Sequence, residues 1–208
     1  FPGRIKARSA MGPVLRRPRA DAGLTFEPSL SPDGKLVAYS SDRAGNGDLD
    51  IWVQQVAGGE PVRLTRDPAD DQDPSFSPDG SRVVFSSTRE GGGVYIVSTL
   101  GGAEQKIAER GIQPRFSPDG KWIAYATGEQ AGYYASFANR VLIIPASGGS
   151  PRTLAESLQR VAGVIWSPDS RFILTTGSQS AQRAELDWWV VEVQSGKASR
   201  TGVFPLLQ

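Results

Sequence analysis

Histidine and cysteine are both missing from the 208 residues, and methionine occurs once. Without cysteine there can be no disulfide, no thiol nucleophile and no thiolate metal site. Without histidine, Ser-His-Asp and Cys-His nucleophilic systems, histidine-ligated zinc and the commonest general base near neutral pH are excluded. No run of about 18 apolar residues is present, so no segment reads as a membrane-spanning helix, and no charged-then-apolar leader opens the chain. A strong charge of one sign is missing too, the formal net charge being +1. The first twenty residues hold Arg4, Lys6, Arg8, Arg16, Arg17 and Arg19 and no acid, leaving 17 basic against 22 acidic residues in the remainder. That balance argues against a nucleic-acid partner, and residues 1–12 read as a basic, solvated tail. The first residue is Phe1, as expected where a leader has been removed or where the chain is a piece of something longer.

What the sequence does contain is a repeat. "FSPDG" occurs at 76–80 and 116–120, with "LSPDG" at 30–34 and "WSPDS" at 166–170, so the opening serines are Ser31, Ser77, Ser117 and Ser167. After each comes a run rich in β-branched and aromatic residues: "KLVAYSS", "SRVVFSST", "KWIAYAT" and "RFILTTG". A variable connection follows, then "DIWVQQV", "GVYIVST", "RVLIIPA" or "DWWVVEV", a Gly-containing turn, and a polar strand such as "PVRLT". The pattern predicts four strands per unit, with units at about 25–66, 72–109, 111–155 and 161–203. In Ser-Pro-Asp-Gly the proline presets φ, the aspartate suits the next position, and the glycine takes the left-handed conformation that closes the hairpin. The motif therefore reads as a turn and not as a nucleophile beside an acid. Ser170 stands in the glycine slot, where a side chain costs roughly 1 kcal/mol, so Ser170→Gly is expected to stabilise the chain.

Both faces of the second strands are apolar. Val37, Val83 and Ile123 point one way, and Ala38, Val84 and Ala124 the other. A sheet that buries both faces needs neighbours on both sides, and four-stranded units at this period stack radially. The expected fold is all-β: a β-propeller of four-stranded antiparallel blades over residues 13–208, four blades visible, part of a larger ring. "PVLRR" at 13–17 resembles the outer strand "PVRLT" at 61–65, while "KASRTGV" already supplies an outer strand to the last unit. One such strand is surplus, which predicts a segment of a ring of six to eight blades and self-association through open end blades.

The "FSPDG" units, the "IAY"-type strands and "SSDRAGNGDLDIW" resemble the WD-like propeller repeats of the TolB periplasmic protein. They are also similar to the propellers of prolyl-oligopeptidase-type peptidases and to extracytoplasmic propeller domains joined to bacterial kinases or winged-helix regulators. The resemblance covers roughly residues 13–203. It implies a periplasmic or otherwise extracytoplasmic, non-enzymatic scaffold with a protein or peptide partner. It equally admits a regulatory or sensor propeller within a larger enzyme or receptor.

Three groups of residues are candidates for binding. Glu27, Asp73, Gln113 and Gly163 each stand four residues before a turn serine, with Asp71 and Arg115 close by. They are expected just before the first strands, at the mouth of the channel, as ligand contacts or as solvated loop polars. Asp42, Asn46, Asp48 and Asp50 offer oxygens of the kind calcium takes. Their spacing is not that of an EF-hand and Asn-Gly suits a hairpin, so a turn without metal is expected, and no cofactor. Tyr133, Tyr134 and Phe137 sit on the longest of the connections between second and third strands, as recognition anchors or as a plug over the blade edge. In an antiparallel blade that connection opens on the same rim as the link between blades, opposite the Ser-Pro-Asp-Gly turns. The varied rim is the expected binding rim.

Overall fold

The computed structural model describes residues 23–127, 140–180 and 186–202. Within them the chain makes four antiparallel sheets, each a simple meander of four strands. Blade one holds β1 (Thr25–Leu30), β2 (Leu36–Ser41), β3 (Asp50–Gln55) and β4 (Val62–Arg63). Blade two holds β5 (Asp71–Phe76), β6 (Arg82–Ser87), β7 (Gly93–Ser98) and β8 (Gln105–Glu109), with a single 3-10 turn at Arg89–Gly91. Blade three holds β9 (Gly111–Phe116), β10 (Trp122–Thr127), β11 (Arg140–Pro145) and β12 (Arg152–Leu154). Blade four holds β13 (Arg160–Trp166), β14 (Phe172–Ser178), β15 (Asp187–Glu192) and β16 (Ala198–Arg200). The first strands β1, β5, β9 and β13 touch in succession, so they form the inner wall and the later strands radiate outward. The fold is all-β, an arc of a β-propeller.

Strand alternation explains how the blades join. Ala38, Ile51 and Val53 of blade one meet Phe76, Val83, Phe85 and Tyr95 of blade two. From the opposite face of blade two, Val84, Val94 and Ile96 meet Phe116, Ile123, Tyr125 and Ile144 of blade three. Ala124, Val141 and Ile143 then meet Val161, Ile173, Trp189 and Val191 of blade four. The second strands of blades two and three thus send successive residues into two different cores, as the doubly apolar pattern requires. Among the described residues no apolar cluster joins blade four to blade one. The consequence is visible at matching positions. Phe76 and Phe116, which end β5 and β9, are 7% exposed, but Leu30, which ends β1, is 63% exposed, and Ile165 on the far face of blade four is 55% exposed. The surplus strand expected at 13–17 lies outside the described residues, while β16 does complete blade four by pairing with β15.

The repeated turn is closed by its own side chains. In the first copy Ser31 Oγ donates to Asp33 Oδ1 at 2.7 Å and accepts from the Leu36 N–H at 2.9 Å, and Asp33 Oδ1 also accepts from the Lys35 N–H at 3.1 Å. The same three bonds recur around Ser77, Ser117 and Ser167. The serine hydroxyl and the following N–H hold the carboxyls of Asp33 and Asp79 down at about 2. Gly34, Gly80 and Gly120 have φ of 69°, 71° and 72°, and Ser170 has 61°, so the left-handed slot is as the sequence predicts.

Ser170, however, does something glycine cannot. Its Oγ accepts the Asp119 N–H at 3.0 Å, tying the turn of blade four to that of blade three. Ser170→Gly therefore trades a strain of roughly 1 kcal/mol against a bond of about 0.5–1.5 kcal/mol and should be close to neutral, not the gain that turn geometry alone predicts. Ser170→Ala keeps the strain and loses the bond, so its melting point should fall below those of both the wild type and the glycine variant. Equal melting points for all three would show that this bond contributes nothing.

Candidate functional site

The inner wall is built from a repeated irregularity. Each first strand slips register against its neighbour, between Phe26 and Ser29, Gln72 and Ser75, Ile112 and Arg115, and Ala162 and Ile165. The residue at the slip is left-handed every time: Glu27 (φ 55°), Asp73 (57°), Gln113 (52°) and Gly163 (73°). These are β-bulges, in which one extra residue bends the strand and re-aims its side chains. Pro28, Pro74 and Pro114 follow directly, since a bulge is among the few sheet positions that tolerate a residue with no N–H for the ladder. The four residues therefore lie inside β1, β5, β9 and β13, not ahead of them as the sequence reading places them. That reading counts back from the turn and cannot see that the strand continues through an extra residue.

The strain at two of the bulges is matched by bonds between blades. The Asp73 N–H donates to Glu27 Oε2 at 2.8 Å, and the Gln113 N–H donates to Asp73 Oδ2 at 3.2 Å. Ser40 and Ser86 hydroxyls donate to the same two carboxylates at 3.3 and 3.1 Å. A carboxylate on one blade thus holds the bulge of the next. Burial, with Asp73 next to it, pushes the Glu27 carboxyl above its usual range. Arg115 extends the series: Nη1 donates to the carbonyls of Asp73 (3.2 Å) and Pro114 (2.9 Å), and its own carbonyl accepts Trp166 Nε1 at 3.1 Å. The bond from Asp73 to Gln113 is the last rung of this carboxylate ladder, since Gln113 carries an amide and Gly163 no side chain. The structure does bring Glu27, Asp73, Gln113 and Arg115 together, with much of their bonding capacity spent on one another.

Asp71 is buried at the end of the blade from which β5 starts, where Arg89 Nη2 donates to its two oxygens at 2.8 and 2.7 Å. Arg89 Nε also donates to Ser87 Oγ at 2.8 Å, Nη1 reaches Glu104, and the guanidinium lies 4.5 Å from the centre of the Tyr95 ring. Asp71 has two counterparts, of which sequence reading names Asp50 only as an oxygen ligand and Asp187 not at all. Asp50 and Asp187, the first residues of β3 and β15, are fully buried and paired with Arg63 at 2.5 Å and Arg200 at 2.6 Å. The signal available was the shared "LDIW" and "LDWW".

Burial pushes the Asp50 carboxyl up to about 6, with Arg63 pulling the other way. Because the folded value lies above that of an unfolded aspartate, about 3.9, the stability from this group is fully present below about pH 4 and is lost as pH rises through 6. Urea melts across that range should show the wild type losing roughly 1–3 kcal/mol relative to Asp50→Asn. A difference that does not change with pH would contradict the assignment.

The connection carrying Asp42, Asn46 and Asp48 is a turn, with the Gly45 N–H donating to the Asp42 carbonyl at 2.9 Å and φ of 79° and 87° at Gly45 and Gly47. Asp50 is committed to Arg63, and no group of three metal-ligating side chains occurs among the described residues. Tyr133, Tyr134 and Phe137 fall in 128–139, outside the described residues. One feature of this rim has no signal in the sequence. A cleft of about 600 Å³ opens between the β2–β3 connection of blade one and the segment linking blade one to blade two. Asn46, Asp48, Arg66, Asp70 and Thr88 line it.

Four meandering blades, inner-strand bulges and serine-closed turns are the features by which this chain can be compared with others. The family model for the TolB beta propeller domain matches residues 15–195. The chain belongs to the TolB β-propeller family. Among solved structures, the putative TolB from Agrobacterium tumefaciens is similar over 85% of this chain and 64% of its own, at 19% identity and a TM-score of 0.70. TolB from Acinetobacter baumannii is similar over 86% of this chain and 43% of its own, at 20% identity and a TM-score of 0.68. An oligogalacturonate lyase in complex with manganese is similar over 86% of this chain and 53% of its own, at 15% identity and a TM-score of 0.64. At these identities the likeness is one of fold. This TolB-family chain spans under two thirds of the length of each of the three. No curated protein sequence matches it.

Proposed function

We propose that this TolB-family propeller is a non-catalytic binding platform whose protein or peptide partner docks on the rim formed by the β2–β3-type connections and the links between blades. One observation carries the reading. The residues that repeat, and that would otherwise suggest chemistry, are held in structural bonds: serine to aspartate within each turn, carboxylate to backbone at two of the bulges, and carboxylate to arginine at Asp50, Asp71 and Asp187. What differs from blade to blade is the opposite rim, and variation on a rigid scaffold is how repeat folds acquire specific partners. Glu27, Asp71, Asp73, Gln113 and Arg115 then act by fixing the blades beneath that rim, and Tyr133, Tyr134 and Phe137 are the proposed anchors, each contributing about 1–3 kcal/mol. An extracytoplasmic location goes with family membership. No helix among the described residues is long and apolar enough to cross a membrane.

The test is affinity capture from the native source with the wild type and with a variant carrying alanine at 133, 134 and 137 and an unchanged melting temperature. Loss of one or more partners supports the reading, and an identical partner set places binding elsewhere. A second reading, the regulatory propeller of a larger enzyme, is favoured by the lyase among the similar structures, of which this chain spans 53%. A catalytic domain encoded in the same reading frame would decide for it.

A further inference from the structure

The two ends of the arc carry the two halves of a joint that the chain already makes three times, one face of a blade against the opposite face of the next. Ile173, Trp189 and Val191 of blade four point to blade three, so strand alternation turns Leu174, Trp188 and Val190 to the other side. Ile165 pairs with Leu174 and Leu174 with Val190 in one row across that side. Ile165 is 55% exposed and the other three are half-buried, whereas Ala124, Val141 and Ile143, in the same places of blade three, are fully buried. Blade one has the complementary face. Leu30 pairs with Val37, and Tyr39 with Trp52, on the side away from Ala38, Ile51 and Val53. The Arg43 guanidinium lies 5.0 Å from the centre of the Trp52 ring, just as Arg89 lies over Tyr95, a ring buried in the joint between blades one and two. One contact recurs at every joint, the first residue of a second strand against the last residue of the next first strand. Leu36 packs in the core that holds Phe76, the Arg82 guanidinium lies 5.6 Å from the centre of the Phe116 ring, and Trp122 and Trp166 pack on one core. The series ends with Phe172 on blade four and Leu30 on blade one, neither of which has this partner among the described residues. The polar members of the two faces are bonded within their own blades: Gln54 Nε2 donates to the Gly59 carbonyl at 2.7 Å, and Ser195 Oγ donates to Glu192 Oε2 at 2.6 Å.

We propose that a second copy of this chain covers both faces: blade four of each copy docks on blade one of the other, head to tail, and eight blades close into one ring with two identical joints. A second copy is the occupant that offers both halves of the joint at once, in the residues just matched, and its contacts continue the interfaces already built within the chain. Propellers hold about four to eight blades, so two copies fill a ring, and head-to-tail contacts that close stop at that number. Phe172 of one copy then meets Leu30 of the other. The joint lies between blades and leaves the varied rim open, so self-assembly adds to the rim reading and does not depend on it.

The experiment is equilibrium sedimentation of the 208-residue chain at concentrations up to about 100 µM, well above the dissociation constants of about 1 µM or tighter found for interfaces of standard size. A monomer–dimer equilibrium is expected, with twice the chain mass at the top of the range. Leu30→Glu and Ile165→Glu, both at exposed positions, should keep the circular dichroism of the wild type and each weaken association about a hundredfold or more, because each places an unpaired charge in both joints. Leu30→Lys combined with Phe172→Glu should associate at least about tenfold more tightly than Leu30→Lys alone, since the two charges then meet across each joint. A monomer at the highest concentration, assemblies that grow past two copies, or a dimer indifferent to either glutamate variant would each overturn the inference. So would a double variant no tighter than Leu30→Lys. If the chain with Phe172→Glu does not fold, the two glutamate variants at exposed positions decide. A negative result here leaves the rim reading standing, because none of these residues lies on that rim.

Discussion

Arg89→Ala is expected to lower the stability of the chain by about 3–5 kcal/mol. The substitution leaves Asp71 fully buried with neither of its guanidinium bonds and strips the cation from the Tyr95 face. Burial already raises the Asp71 carboxyl above its usual range, and losing Arg89 would raise it further, so the variant should recover part of the loss at acid pH, where the carboxyl is neutral. Two companion variants separate the ion pair from mere packing. Adding Asp71→Asn to Arg89→Ala removes the uncompensated charge and should restore a large part of the lost stability. Arg89→Lys keeps the charge but cannot reach both oxygens in parallel and should fall between. Urea melts near pH 7 are the measurement, and a loss under about 1 kcal/mol for Arg89→Ala would mean that the pair contributes little to holding blade two together.

A loss of similar size, about 3–5 kcal/mol, is expected for Tyr125→Ala. The ring is 1% exposed in the core shared by blades two and three, beside Val84, Val94 and Phe116. It packs against Gly111 so closely that a Cβ there would stand 2.8 Å from Tyr125 Cδ2 and 2.3 Å from Val94 Cγ2. The absent side chain of Gly111 is thus part of the fit, and removing the ring leaves a cavity in the core shared by the two blades. Burial pushes the Tyr125 hydroxyl up to about 12, so it stays neutral at ordinary pH and Tyr125→Phe should lie within about 1 kcal/mol of wild type. If alanine and phenylalanine variants melt together, the ring does not hold the two blades.

These two sites also show where sequence reading succeeds and where it stops. The Ser-Pro-Asp-Gly turns were legible because each is closed by residues within five positions of one another, and the propeller followed because adjacent residues such as Val83 and Val84 enter separate cores. The bulges at Glu27, Asp73 and Gln113 were not legible, because a bulge is defined by the strand opposite, and only pairing shows that two residues face one. The same holds for the bond from Asp119 to Ser170, which spans two blades and reverses the simple expectation for a glycine substitution. The buried ion pairs of Asp50 with Arg63 and Asp187 with Arg200 link the third strand to the fourth at one and the same spacing, but an acid and a base that far apart in sequence give no local signal until the strands are paired. The cleft beside Asp48 arises from two segments about twenty residues apart in sequence and has no local signature at all.

The central claim is that function lies on the varied rim while the repeated residues hold the blades. Hydrogen exchange on the chain, alone and with the captured partner, tests it most directly. Protection is predicted in the variable connections of that rim, residues 42–49, 66–70, 88–92 and 128–139, with no change at the turns 31–34, 77–80, 117–120 and 167–170. Protection confined to those four turns, with the varied rim unchanged, would contradict it.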